Sequence, residues 1–287
     1  MTELIVITGA AGRIGTLLRP RMARPGRILR LVDIAPQPAP APGEAVETVH
    51  GDITDLPAME AACAGADAVI HLGGLSTEGP WEDVLRLNVH GTRQVFEAAR
   101  RAKVPRVVFA STNHVVGFHP RAAGDPGDHA LPRPDTHYGV SKAAGEALGS
   151  LYHDRYGLDV LCVRIGACFP RPLDAHMLQT WLSPDDCARL MEALLTAPSP
   201  GFRVVWGVSD NTRRWWSLKE ARALGYDPRD DAETHAPEIP AARGGGPDPT
   251  RPPHDRLGGS FCDPSLDVDR PGRHTAPDRT RPGQSPR

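Results

Sequence analysis

In the run YGVSK, a tyrosine and a lysine stand four residues apart, Tyr138 and Lys142. Four residues is about one helical turn, so phenol and ammonium share a helix face and can serve one site. A phenol titrating near its ordinary pKa of about 10 is a poor base at neutral pH, but positive charge nearby favours the phenolate. The pair therefore implies proton abstraction from a hydroxyl, with Tyr138 as the base. Upstream, FASTNHVVG brings Ser111, Thr112, Asn113 and His114 to the end of an apolar run. There Thr112 is expected to orient a substrate oxygen and Asn113 and His114 to meet its other polar groups; capping of a strand end is the competing role.

A second group of residues sits near the amino terminus. TGAAGRIG follows an apolar run directly and sets Gly9, Gly12 and Gly15 at three-residue spacing, opening a segment Arg13–Arg24 that reads as a helix. Such glycines let backbone turn sharply against a pyrophosphate, whose charge then meets the helix amino terminus at Arg13 and Ile14. In a chain with 29 glycines the pattern alone is equally a structural turn; its setting between strand and helix is what makes it a dinucleotide signal. The second apolar run ends in LVD, so that Asp33 falls where a carboxylate bonds the adenosine ribose hydroxyls. That carboxylate would repel a 2′-phosphate and favours NAD over NADP, while Arg13 in the glycine loop pulls the other way.

In HGDITD, Asp52 and Ile53 fall near the adenine, although Asp52 reads equally as the cap of a helix starting near Leu56. VIHLGGLS places Leu72, Gly73 and Gly74 beside the nicotinamide ribose and Ser76 toward substrate, while His71 reads as a core histidine at a strand end. Ser111 is counted with the cofactor site. Asn88, in LNVHGT, is either a residue of this site that steadies the catalytic helix or a helix-internal asparagine without a role.

These residues need a frame that brings strand ends together. Leu4–Thr8, Ile28–Asp33, Val46–His50, Ala68–Leu72, Arg106–Ser111 and Asp159–Ile165 read as strands, with helical patterns between most of them, the last from Tyr138 to about Tyr156. Such alternation predicts parallel strands with crossover helices. RVVFAS and AVIHL are apolar on both faces, as central strands must be. The fold class expected is α/β, a Rossmann-type doubly wound parallel sheet with a small C-terminal substrate lobe. Residues 1–170 form the cofactor domain with Tyr138 and Lys142. Residues 171–265, with a helix at Pro184–Leu195 and a strand at Phe202–Trp206, form the lobe, partly interleaved with the first domain. Residues 266–287, polar and rich in Pro and Arg, are expected to be disordered.

A net charge of −2 offers no basic footprint for nucleic acid. No apolar stretch approaches the roughly 18 residues of a membrane span, and the first apolar run is too short for a signal peptide. Five scattered cysteines without a C-x-x-C pair suggest reduced thiols and no metal site. A cytoplasmic enzyme with a small-molecule substrate is the expectation, with a homo-oligomer left open.

Taken together, TGAAGRIG, Asp33, GDITD, VIHLGG, LNVHGT, ASTNHVVG and YGVSK resemble the extended short-chain dehydrogenase/reductase family, also called the NAD-dependent epimerase/dehydratase family, over residues 1 to about 170. HLGGLS, FASTNH, RPDTHYGVSK, VRIGACFP, TWLSPDD, VVWGVSDN and GGSFCDP are similar, within that family, to uronate dehydrogenases, to about residue 265. The resemblance implies NAD-dependent oxidation of a hexuronate, such as glucuronate or galacturonate, at C1 to an aldarolactone. It implies that Tyr138 takes the C1 hydroxyl proton and Lys142 lowers its pKa and holds the nicotinamide ribose. Thr112 bonds the reacting oxygen, Ser76, Asn113 and His114 contact sugar hydroxyls, and Ile165 offers its backbone to the cofactor amide.

Two positions depart from that pattern: Ala167 stands for a Ser, and His176 for the Arg that would clamp the sugar carboxylate. A free imidazole, titrating near about 6.5, predicts weaker uronate binding that improves as pH falls from about 8 to about 6. Arg171, in the same loop, either restores the clamp or is a surface arginine. A nucleotide-sugar epimerase or dehydratase, a dehydrogenase of a neutral sugar and a non-catalytic NAD-sensing regulator remain alternatives. Against a dehydratase, Asn113 follows Thr112 where those enzymes carry an acid; against a regulator, Tyr138, Lys142 and Thr112 are all present.

Overall fold

In the computed structural model, which describes residues 2–239 and 251–266, seven parallel strands form one sheet in the order β3-β2-β1-β4-β5-β6-β9. The first six are β1 (Glu3–Thr8), β2 (Arg27–Asp33), β3 (Val46–His50), β4 (Ala68–His71), β5 (Arg106–Thr112) and β6 (Asp159–Ile165). A two-stranded parallel pair, β7 (Ala167–Cys168) and β8 (Trp181–Leu182), lies beyond β6, and β9 (Phe202–Gly207) closes the sheet edge. The strands agree with the sequence reading to within a residue at each end; in central β4 and β5 apolar residues on both faces leave a covered parallel strand as the consistent solution. The expected tail, 266–287, lies outside the described residues except for Leu266.

Helices cover both faces. On one side are α1 (Arg13–Met22) and α7 (Pro184–Thr196). On the other are α2 (Leu56–Cys63), α4 (Gly91–Arg101) and α5 (His137–Tyr156). Side chains alternate accordingly: Ile5 and Ile7 of β1, and Val108 and Ala110 of β5, join the α1/α7 core, while Val6, Val107 and Phe109 join the α2/α4/α5 core. Shorter helices are α3 (Trp81–Val84), which runs on through a π-helical segment Leu85–His90 into α4, α6 (Met177–Thr180) and α8 (Lys219–Ala223).

One part of the expected organisation changes. Phe202–Trp206 and Pro184–Leu195, read from sequence as parts of a small lobe partly interleaved with the first domain, belong to the main sheet and its helical cover: β9 pairs with β6, and α7 packs on α1. The reason is long-range. Buried Trp206 stacks on Trp216 at 4.9 Å, and buried Arg27 of β2 holds Glu192 of α7 in an ion pair, neither of which a local pattern reveals.

The frame seats α5 unusually close to the sheet. A Cβ on Gly145 would lie 2.4 Å from the Phe109 ring and one on Gly149 2.8 Å from Val160. The small residues at this four-residue spacing thus admit β5 and β6 side chains to the helix backbone. Deeper still, Arg164 of β6 grips Glu146 of α5 through two bonds of 2.9 and 2.8 Å, and Ser111 of β5 donates to the same carboxylate at 2.6 Å. A buried pair of this kind sets register, because removing either partner leaves an uncompensated charge. Gly145→Val should lower stability by about 1–3 kcal/mol through overpacking and depress turnover with it. An unchanged melting temperature would show that α5 is not held by this contact.

Candidate active site

The carboxyl ends of β1, β2, β4, β5 and β6 meet along one edge, which is where an open α/β sheet binds its ligands. Gly9 adopts φ +68°, and a Cβ there would lie 2.6 Å from the Gly73 backbone nitrogen; at Gly15 it would lie 2.4 Å from the Ala10 carbonyl. The first glycine thus lets the β1 and β4 loops touch, and the last lets α1 rest on its own loop. Gly12 caps α1 without a side-chain bond, leaving the first-turn amides at Arg13, Ile14 and Gly15 for an anion. These residues fit a dinucleotide pyrophosphate.

Asp33 accepts from the Ala11 and Ala35 amides at 2.9 Å each, which fixes its carboxylate beside the glycine loop. Arg13 points elsewhere: its guanidinium lies 4.0 Å from the centre of the Phe169 ring, beyond β6 and across the sheet from β2. In this arrangement the Arg13 guanidinium is held on Phe169 while Asp33 stands beside the glycine loop. Asp52 accepts from the Thr54 amide and hydroxyl, at 2.8 and 2.9 Å, and does not cap α2; Asp55 does. Ile53 packs beneath Gly73 and Gly91 and so supports the β4 loop from below. Leu72 continues β4 by donating its amide to the Thr8 carbonyl. His71 is the core histidine expected, bonded to Thr8 at 2.7 Å and Thr92 at 3.1 Å, with burial pushing its pKa down to about 3.

Two residues expected at the cofactor act on the frame. The Asn88 amide is fully occupied, accepting from the Leu75 amide at 2.7 Å and donating to the Leu75 carbonyl and, at 2.9 Å, to Ser141 of α5. It ties the β4 loop to the catalytic helix through Ser141, from a π-helical turn that aims its side chain inward. The Ser111 hydroxyl is likewise turned to Glu146, away from the cleft.

At the reaction end, Tyr138 and Lys142 are buried in the first turns of α5, beside Thr112. Thr136 caps that helix, and Glu78, unforeseen in the sequence, accepts the Tyr138 amide at 3.0 Å. The Lys142 ammonium donates to the Ala110 carbonyl at 2.8 Å and lies 5.9 Å from the Tyr138 ring. Burial pushes the Tyr138 phenol up to about 12; a hydrogen bond from Thr112 works against this and the charge of Asp135 with it. The lysine alone therefore does not make the phenol a base at neutral pH.

Around Tyr138 stand the other expected residues. His114 bonds through Nδ1 to the fully buried Asp135 carboxylate at 2.8 Å, stacks on Phe261 at 4.1 Å and lies 6.0 Å from the Tyr138 ring. Asp135, which the sequence reading missed, also accepts from Thr136 at 3.0 Å, and a Cβ on Gly117 or Gly258 would fall 1.8 Å from its oxygen. So enclosed, it takes up Nδ1 of His114 and leaves Nε2 for a ligand. Asn113 is buried and donates to the Leu257 carbonyl at 3.5 Å. Ile165 pairs with Thr112 in register at the β6 end, and Ser76 is exposed on the β4 loop. Two surface cavities, one lined by Trp215, Trp216 and Arg222 and one by Trp81 and His137, contain none of Tyr138, Lys142 and Thr112; chemistry, more than concavity, locates this site.

His176 comes to the same region, its ring over Gly259. Burial pushes its pKa down to about 4, so it stays neutral from pH 8 to pH 6 and the titration expected from a free imidazole does not occur there. Arg171 is 69% exposed and lies 3.8 Å from Glu238, as a surface arginine.

Lys142 carries a testable cost. Burial lowers its pKa from 10.5 to about 8. Between those values the unfolded chain binds more protons than the folded one, so this group's penalty is full below pH 8 and fades as pH rises toward 10.5. Lys142→Met should raise the stability of the cofactor-free protein at pH 7 by on the order of 2 kcal/mol, after allowing for the unpaired Ala110 carbonyl. The gain should shrink toward pH 10; a variant that melts below the wild type at pH 7 would contradict the penalty.

Residues 5–183 match the NAD dependent epimerase/dehydratase family. The uronate dehydrogenase of Pseudomonas putida is 44% identical over 83% of this chain and 88% of its own length. A mutant uronate dehydrogenase of Agrobacterium tumefaciens complexed with NAD is 41% identical, with a TM-score of 0.84 over 91% of this chain and 97% of that one. The glucuronic acid dehydrogenase of Chromohalobacter salexigens is 40% identical, with a TM-score of 0.86 over the same shares. Fold, cofactor cradle and sequence agree: the chain is a member of the NAD dependent epimerase/dehydratase family.

Proposed function

We propose that this protein is an NAD-dependent dehydrogenase that oxidises a free hexuronate, such as glucuronate or galacturonate, at C1 to the aldarolactone. The observation that carries this reading is the set at the β5 end, where Tyr138 is buried between Thr112 and the Lys142 helix face, with Asn113 in place of an acid. NAD, when bound, supplies the hydride acceptor and a positive charge. Thr112 holds the C1 oxygen, and Tyr138 takes its proton as the C1–H bond breaks. Lys142, one turn along α5, donates to the ribose and adds charge that favours the phenolate. His114 offers Nε2 to a sugar hydroxyl, its ring locked by Asp135 and Phe261. Ser76 and Asn113 meet further hydroxyls, Leu72, Gly73 and Gly74 border the ribose, and Ile165 offers its backbone to the cofactor amide. Asp52 and Ile53 lie toward the adenine.

The dimensions of the sugar end support a monosaccharide. Residues 255–258 lie antiparallel along 117–121, with Leu257 donating to the His119 carbonyl and Gly258 to that of Gly117, and Phe261 covers His114. A cover of this kind over His114 favours a compact sugar over one extended by a nucleotide diphosphate. The uronate dehydrogenases among its relatives, one of them complexed with NAD, support the same reading.

Tyr138→Phe should bind NAD normally and lose kcat by about 10² to 10⁴; near-normal turnover would reject Tyr138 as the base. With Asp33 beside the glycine loop and Arg13 held on Phe169, kcat/KM with NAD should exceed that with NADP by at least about tenfold. Equal efficiency with both cofactors would count against the assignment of Asp33.

A further inference from the structure

A hexuronate carries a carboxylate that some residue must recognise, and His176 is poorly suited to do so alone. A neutral imidazole offers at most one donor, whereas a guanidinium offers a planar fork. The surroundings of His176 hold such a fork. The ring of Trp215 has His176 on one contact, edge-on at 6.5 Å between centres, and the Arg121 guanidinium on another, at 4.5 Å. Arg27, Arg106, Arg164 and Arg189 are each tied to a carboxylate. Arg121 makes no ion pair and no side-chain hydrogen bond among the described residues, and it is only half-buried.

Its backbone is fixed where its side chain is not. The Arg121 amide donates to the Asp255 carbonyl at 2.8 Å, and Pro120 bridges Arg256, so the C-terminal segment that covers His114 also anchors Arg121. The Trp215 indole nitrogen is buried and has no hydrogen-bond partner among the described residues. His114 and His254 also lie within electrostatic range of His176, and Asp174 is the one carboxylate among its strongest charge influences. His114 thus neighbours Tyr138, and His176, which feels the charges of both His114 and Arg121, is joined to Arg121 through Trp215.

Resting on the hexuronate reading above, we propose that Arg121 is the specificity-determining residue for the anionic group at C6, swinging off the Trp215 face to form a forked bond with the sugar carboxylate while His176 and the indole nitrogen donate beside it. A cation–π contact on a partly exposed ring is a weak hold, and a charge-assisted fork exceeds it. Trp215 is then the resting perch of a mobile clamp, and the arginine absent from position 176 is supplied from a different loop.

The test is NADH formation at saturating NAD by wild type, Arg121→Gln and Arg121→Lys, each first shown to melt with the wild type, on D-glucuronate, D-glucose and D-glucose 6-phosphate. Arg121→Gln should raise KM for glucuronate about 10- to 100-fold, with kcat and the KM for NAD within about threefold and activity on glucose unchanged. Arg121→Lys, keeping charge without the fork, should fall between. An unchanged KM for glucuronate, or an equal loss on glucose, would overturn the proposal. If the wild type oxidises glucose 6-phosphate in preference to glucuronate and Arg121→Gln raises KM for the phosphate alone, anion recognition by Arg121 stands and the hexuronate reading fails.

Discussion

The site depends on how closely α5 approaches the sheet. Phe109 and Val160 enter the helix surface at Gly145 and Gly149, and Glu146 between them is gripped by Arg164 and Ser111. Those contacts fix the helix in depth and in rotation, and they carry no catalytic group. About one and two turns toward the amino terminus, the same rotation buries Lys142 and Tyr138 against the end of β5. A shift of one ångström would move the phenol relative to Thr112, and reactions that rely on near-attack geometry lose large factors for such displacements.

Around that helix, positioning is divided among distant segments. Asn88 joins the β4 loop to Ser141, Glu78 holds the Tyr138 amide, and Asp135 orients His114. The electrostatic consequence at the reaction end is that burial pushes the phenol up and the ammonium down and keeps His71 and His176 neutral. Catalytic competence waits on the positive charge that the cofactor brings, which couples proton abstraction to cofactor binding. Burial of Lys142 is a place where stability is given up, as the proposed role of its ammonium requires.

Much of this was legible in the sequence because it is local. The strands follow from apolar runs, the tight turn at Gly9, Gly12 and Gly15 beside Asp33 from the glycine spacing, and the placing of Tyr138 and Lys142 together from a four-residue spacing on one helix. What escaped is long-range or depends on burial. Nothing near Asp135 announces that it will face His114, nor near Glu78 that it will meet α5. The Phe202–Gly207 strand gives no local sign that it pairs with β6 in the main sheet. The spacing of Ser111 and Asn88 marks them as site residues without showing that their polar atoms are turned to Glu146 and to Leu75 and Ser141. His176 was identified as the unusual position, but its neutrality follows from burial, and Arg121 lies in a loop whose place is set by a segment more than a hundred residues later.

The central claim is that Tyr138 and its neighbours carry out a net oxidation at C1, in which the reducing equivalents leave with the cofactor. Its most direct test is stoichiometry: purified protein is incubated with D-glucuronate and excess NAD, with NADH followed by absorbance and the sugar by NMR. The account predicts one NADH for each lactone formed and no epimerised uronate. Conversion of the sugar to an isomer without accumulation of NADH would contradict it, since the hydride would then have returned to the substrate.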